Sequence, residues 1–123
     1  MSRLVGKRVI LVGGAVLLAV ALIGYAVLHA SIQASVRQEV GRAEQAFPQA
    51  ADPVEALLAV VQADRFAVDQ RNRAVWALGR LGDQRALPVL IAKFHPEHCD
   101  HGRELCQHEL AKAIKLCEGR TGN

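Results

Sequence analysis

The chain begins with a long apolar run that contains no charged side chain. The run extends from Val9 to Leu28, and an α-helix of about 20 residues is about 30 Å long, which matches the hydrocarbon core of a bilayer. We therefore predict a transmembrane helix over residues 9–28, in contact with lipid. A cleaved signal peptide is the alternative, although its apolar region is usually shorter and the residues Leu28-His29-Ala30 match a cleavage site poorly.

Apolar positions continue at helical spacing beyond this run. They are Ile32, Val36, Val40, Ala43 and Phe47. This stripe predicts a juxtamembrane helical stalk over residues 29–50 that packs on the following domain or on a partner. Gly41 lies within the stalk and costs about 1 kcal/mol relative to alanine, so we expect the helix to loosen there.

The next part of the chain, residues 51–118, contains amphipathic segments separated by short joints. Two apolar stripes share the spacing i, i+3, i+4 and i+7: Val54, Leu57, Leu58 and Val61, and then Leu87, Leu90, Ile91 and Phe94. We predict four helices, near 52–62, 68–81, 84–94 and 103–118. No segment alternates with a period of two, so we expect no strands. Gly82 is suited to a left-handed helix C-cap, and Asp83 is suited to the N-cap of the next helix.

One sequence motif extends over the second and third of these segments. It consists of Arg71, Ala74, Ala77-Leu78-Gly79, Leu81-Gly82-Asp83, Ala86-Leu87-Pro88 and Leu90. In these residues the segment 71–94 resembles the short HEAT-like repeat, which is also found in the phycobilin-lyase group. The resemblance implies an all-α domain of about two HEAT-like helical hairpins, a fragment of an α-solenoid, whose surface binds other proteins. Because stable arrays normally need at least three repeats, we expect this one to depend on its stalk, a disulfide or a partner.

The charge of the chain is concentrated near its N-terminus. The formal net charge is +3, and the pI is near 9.0. Residues 1–50 carry five basic and two acidic side chains, whereas residues 51–123 carry ten of each. The second part lacks the basic excess of a nucleic-acid-binding domain, so we expect no nucleic-acid partner.

The same charges predict the orientation of the membrane helix. Arg3, Lys7 and Arg8 precede the apolar run, and basic residues favour the cytoplasmic side of a membrane. We predict a cytoplasmic tail over residues 1–8, an extracytoplasmic repeat domain over 51–118 and a short C-terminal tail over 119–123. In a bacterium the protein would lie in the inner (plasma) membrane with its repeat domain in the periplasm, where disulfides persist.

Trp76 is the only tryptophan in the chain. At 100° per residue it lies about 160° around the helix from Leu78, which belongs to the apolar face. A partly exposed tryptophan is a frequent interface anchor, so we predict that Trp76, with Arg73 and Arg80, binds a partner. The alternatives are that Trp76 packs on the stalk or a neighbouring helix, and that the arginines form an ordinary solvated surface.

The segment 95–117 is rich in histidine and cysteine. Our first interpretation is a disulfide between Cys99 and Cys106, which the predicted oxidising location favours; Cys99 could pair with Cys117 instead only if the loop folds down the helix. A second interpretation is that Cys106 and Cys117 are simply apolar thiols on a helix face. A third is a zinc or copper site, and its ligands would be His95, His98, Cys99 and His101.

The sequence contains no motif typical of a common enzyme class. A glycine-rich phosphate loop, a G-x-S-x-G turn and an H-E-x-x-H pair are all missing. We therefore expect no catalytic activity and no cofactor. We expect a membrane-anchored adaptor or accessory subunit of a membrane protein complex. The alternative is an extracytoplasmic protein active in metal binding or thiol redox chemistry through residues 95–117.

Overall fold

The computed structural model describes residues 1–97 and 102–119, and these residues contain helices and no strand. The α-helices are α1 (Ser2–Ala46), α2 (Pro53–Gln62), α3 (Val68–Leu81), α4 (Leu87–Lys93) and α5 (Gln107–Gly119), and a short 3₁₀ turn (Gln84–Ala86) precedes α4. The all-α prediction is confirmed. The chain divides into two compact units, of which the first is Met1–Ser35 and the second begins at Val36.

The first unit consists of most of α1, and its apolar side chains are exposed. Leu11 and Leu17, for example, are 73% and 72% exposed, and none of the most apolar window of the helix is buried inside the chain. By length and composition the helix could cross a membrane, although a signal sequence meets the same criteria. The hydroxyl groups of Ser31 and Ser35 donate hydrogen bonds to the carbonyl oxygens four residues before them, so neither hydroxyl interrupts the helix.

The C-terminal end of α1 belongs to the second unit and packs there. Val36 and Ala43 are buried, and Val40 and Phe47 are partly buried against the core. The helix continues through Gly41 to Ala46, so the predicted loosening at Gly41 is wrong. Burial of the residues on both sides of this glycine stabilises the helix by more than its unfavourable propensity costs.

Helix α3 lies at the centre of the second unit. It packs against α2 and against α5, and α5 also packs against α4. The core between these helices is aliphatic, and its largest fully buried side chains are Leu57, Val61, Val75, Leu78, Leu90, Leu110 and Cys117. Helices α3 and α5 approach so closely that a Cβ added at Gly79 would lie 2.9 Å from the Cα of Ala113.

The joint between α3 and α4 has the predicted chemistry. Gly82 has φ 62°, and its N–H donates to the carbonyl of Leu78. The Asp83 carboxylate then accepts a hydrogen bond from the N–H of Arg85, as an N-cap does. The following turn is 3₁₀ rather than α-helical because Pro88 has no N–H with which to close an α-turn on Gln84.

The last helix begins later than predicted, at Gln107 rather than near residue 103. Leu105 is buried in the core, which holds the preceding segment against the domain. The N–H of Cys106 donates to Oδ1 of Asn72 at 2.8 Å. The Asn72 side chain of α3 therefore accepts the hydrogen bond of the Cys106 N–H, which in a longer helix would bond to a carbonyl of the same helix.

Candidate protein-binding surface

One outward stripe of α3 carries the residues that the sequence predicts for partner binding. Arg73, Trp76 and Arg80 have the spacing i, i+3 and i+7, which places them on one face of the helix. Trp76 is half-buried and packs against the core. The guanidinium of Arg80 lies 5.8 Å from the centroid of the Trp76 ring, within the range of a cation–π contact. Trp76 is therefore both packed and accessible.

Arg73 differs from the other two because it connects α3 to α1. Its Nε lies 3.5 Å from Oε1 of Glu39, and its guanidinium also lies 3.3 Å from the carboxylate of Asp69. Glu39 in turn pairs with Arg42 at 2.8 Å. Arg73 is half-exposed, so these contacts orient its side chain while leaving part of it accessible to a partner.

A cavity of about 380 Å³ lies beside Arg73, between the end of α1, α2 and α3. Its lining combines apolar and polar side chains: Glu39, Arg42, Ala43, Ala46, Leu57, Val60, Phe66, Gln70, Arg73 and Ala74. Glu39 pairs with both arginines of the cavity, so the charged side chains of its lining carry a net charge of +1.

A second groove lies between α3 and α5, and we call it the basic groove. It encloses about 710 Å³ and is lined by Gly79, Arg80, Lys112, Lys115, Leu116 and Gly119. Leu116 is 45% exposed there. Trp76 lies in an adjoining hollow that it shares with Glu109, whose carboxylate is 3.2 Å from Nζ of Lys112. Among the described residues that line the basic groove, every charged side chain is a cation.

The other two arginines of this region have structural partners. Arg71 donates from Nε to the carbonyl of Val61 at 2.9 Å, near the C-terminus of α2, and lies 3.2 Å from Asp64. Arg85 bonds both Asp83 and Asp52, the N-cap of α2. These bonds join the starts of two helices that are distant in sequence.

The two cap carboxylates, Asp52 and Asp83, have perturbed pKa values. Side-chain hydrogen bonds from Arg85 lower the pKa of Asp52 and the pKa of Asp83 below their ordinary values. The same bonds raise the pKa of Arg85. All three side chains are partly exposed, and together they form an ion-pair joint.

The histidine- and cysteine-rich segment is only partly within the described residues. His98, Cys99 and His101 lie outside them, so the Cys99–Cys106 disulfide and the alternative metal site with His95 remain predictions. Cys106 is a half-buried thiol. The described part of the chain contains no group of three or more His, Cys, Asp or Glu side chains that could hold a metal ion.

Two polar residues that the sequence did not single out connect α5 to the rest of the domain. Gln107 is 5% exposed; its Oε1 accepts from the N–H of His95, and its Nε2 donates to the carbonyls of Lys93 and Leu105. The other residue is Asn72, which caps Cys106. Neither residue has a distinctive sequence signal, because a buried glutamine or asparagine cannot be told from an exposed one until its hydrogen-bond partners are known.

A comparison with known protein families gives a match in the middle of the repeat domain. Residues 70–94 match the model of the PBS lyase HEAT-like repeat. The match covers α3 from Gln70 onward, the 3₁₀ turn and α4, and it confirms the resemblance seen in residues 71–94. No curated protein and no solved structure matches the chain. The HEAT-like repeat indicates a helical-repeat protein capable of protein interaction, and Trp76 and Arg80 lie within it.

Proposed function

We propose that this protein is a membrane-anchored adaptor or accessory subunit of a membrane protein complex. It holds another protein through the surface of its HEAT-like repeat, centred on Trp76. The observation that carries the proposal is the half-buried tryptophan, stacked under Arg80 at the edge of a groove. A large aromatic side chain that is already held in place loses little entropy when a partner covers it, which is typical of interface anchors.

The exposed apolar side chains of α1 support the membrane anchor in this proposal. Residues 9–28 place a continuous apolar surface in water unless lipid or another protein covers it.

Arg3, Lys7 and Arg8 favour a cytoplasmic N-terminus, which in a bacterium gives an inner-membrane protein with a periplasmic repeat domain. A fusion of alkaline phosphatase after Asn123 tests the orientation, because this enzyme is active only in the periplasm. Inactive phosphatase, with activity of a cytoplasmic reporter at the same position, would reverse the orientation.

The shifted pKa values of the domain lie at a structural joint rather than in the proposed binding surface. Active sites usually contain side chains with shifted pKa values in a cleft. Asp52, Asp83 and Arg85 have shifted pKa values, and these three side chains form the ion-pair joint, away from the basic groove. No cofactor is needed for the proposed role.

Co-purification tests the proposed anchor residue. Full-length protein with a tag after Asn123 is extracted in mild detergent, and mass spectrometry identifies the proteins that accompany it. We expect Trp76→Ala to reduce the captured partner by roughly tenfold, the loss expected for a hot-spot side chain. Ile91→Ala is the matched control, because it removes an apolar side chain that is 53% exposed on a different helix. Equal capture by both variants, with unchanged circular dichroism, would exclude Trp76 as the anchor.

A truncation tests the anchor itself. Removal of residues 1–30 deletes most of the apolar first unit and should release the protein into the soluble fraction. Sedimentation with vesicles in spite of this deletion would show that another surface binds the membrane.

A further inference from the structure

We propose that the basic groove between α3 and α5 binds an acidic amphipathic helix of the partner protein. This inference rests on the proposed adaptor function and adds the chemistry of the partner. The groove provides three features that such a helix requires: cations along its sides, an exposed apolar side chain between them, and space for a helix to approach.

The cations are Arg80 on α3 and Lys112 and Lys115 on α5. Lys112 pairs with Glu109, but the Lys112 side chain is 56% exposed in that pair, and Arg80 is held over the Trp76 ring without a carboxylate partner among the groove's described lining. A carboxylate-rich segment would complement these charges, whereas a basic segment would be repelled.

The apolar part of the site is formed by Leu116 and Trp76. Leu116 is a large aliphatic side chain left substantially exposed on the last described helix. Its neighbours in the groove include Gly79 and Gly119, neither of which has a side chain to cover it. An aliphatic side chain of the partner can therefore rest on Leu116 beside the Trp76 ring.

The helical form of the partner follows from the way this domain is built. Helices of a repeat array bury their apolar faces by stacking on the next helix pair. Helix α5 already uses one side against α3 and α4, and the basic groove runs along the edge of its contact with α3. A helix from another protein, presenting apolar residues at i, i+3 or i+4 and i+7, would extend this stack.

Trp76 provides a direct readout for the test, since it is the only tryptophan of the chain. The full-length protein is placed in phosphatidylcholine nanodiscs and titrated with a peptide that has leucines on one helical face, glutamates elsewhere and no aromatic residue. We expect a saturable shift in Trp76 emission that weakens at least tenfold between about 50 mM and 500 mM NaCl, because salt screens exposed charges. A peptide with lysine in place of each glutamate should produce no shift.

Paired variants locate the binding site. Lys112→Ala/Lys115→Ala should weaken binding of the acidic peptide by about tenfold, as expected for the loss of two complementary charges. Lys93→Ala/Arg103→Ala removes the same charge from a different hollow, lined by Arg71, Lys93, His95, Arg103, Glu104, Leu105 and Gln107, and should change binding by less than about twofold.

Three results of the peptide titrations would overturn the inference. They are no response to the acidic peptide, an equal response to the basic peptide, and an equal loss in both double variants. If anionic phosphatidylglycerol in the nanodisc shifts the Trp76 emission and the acidic peptide does not, the groove contacts lipid instead. Capture of a partner that depends on Trp76 but not on Lys112 and Lys115 would overturn the acidic-helix proposal while retaining the adaptor function.

Discussion

The close contact between α3 and α5 predicts that one substitution has opposite effects at two helical glycines. At Gly79 an added Cβ would lie 2.9 Å from the Cα of Ala113 and 3.1 Å from its Cβ. At Gly41, near the end of α1, an added Cβ would meet no atom within 4 Å. Gly79→Ala and Gly41→Ala therefore differ mainly in whether a neighbouring helix has to move.

The magnitudes follow from two opposing contributions. Each substitution gains about 1 kcal/mol in helix propensity. At Gly41 nothing opposes this gain, so we expect Tm to rise by roughly 4–8 °C. At Gly79 the obstacle is the backbone of α5, which is fixed by the buried side chains of Leu110 and Cys117, and overpacking of this kind costs about 1–3 kcal/mol. The midpoint of that range leaves a net destabilisation of about 1 kcal/mol and a comparable fall in Tm.

The assay is thermal and urea unfolding of the full-length protein in detergent, followed by circular dichroism and by Trp76 fluorescence. Both variants carry the same alanine, so their difference of about 2 kcal/mol isolates the helix contact. Stabilisation by Gly79→Ala equal to that by Gly41→Ala would show that α3 and α5 are not in close contact. The packing described for the centre of the domain would then be incorrect.

Three further predictions concern the core and the joints. Leu78→Ala removes a fully buried side chain and should destabilise the domain by about 2–5 kcal/mol, measured by urea unfolding; a loss below about 1 kcal/mol would contradict its position in the core. Arg85→Gln should flatten the pH dependence of Tm, because Arg85 lowers the pKa values of Asp52 and Asp83. The stability that comes from these lowered values is present above the ordinary pKa of 3.8 and is lost as the pH falls through the lowered values. Wild type and variant should therefore differ most near neutral pH and converge in acid, and a constant difference would count against the ion-pair joint. Gln107→Leu leaves the N–H of His95 and two carbonyls without their partner and should destabilise the domain by about 1–3 kcal/mol; hydrogen exchange at His95 as slow as in wild type would contradict this role.

The domain compensates for its small number of repeats with the end of α1. Ala43 belongs to the core cluster, and Phe47 packs against it. The guanidinium of Arg65 lies 4.9 Å from the Phe47 ring and 5.0 Å from the Phe66 ring, while Arg73 connects α3 to Glu39. A terminal repeat leaves one apolar face uncovered, and Val40, Ala43 and Phe47 of this segment pack on the core of the domain.

The sequence alone determined the features that depend on neighbours in the chain. Helical periodicity located α2, α3 and α4 closely, since an apolar face recurs every three or four residues. The Gly82-Asp83 joint was also recognisable, because capping involves groups within a few residues of one another. The same local pattern identified the HEAT-like repeat and the long apolar helix.

Only the tertiary structure decided which helix faces meet and which polar groups pair. Glu39 is far from Arg73 in sequence, and Asn72 is equally far from Cys106, so no local pattern could associate them. Helix α5 begins at Gln107 rather than at the predicted position near residue 103, because the residues at its start bond to Asn72 of α3 and to Lys93 of α4. The basic groove likewise lies where α3 and α5 approach closely at Gly79, and that distance is a property of their packing rather than of either helix alone.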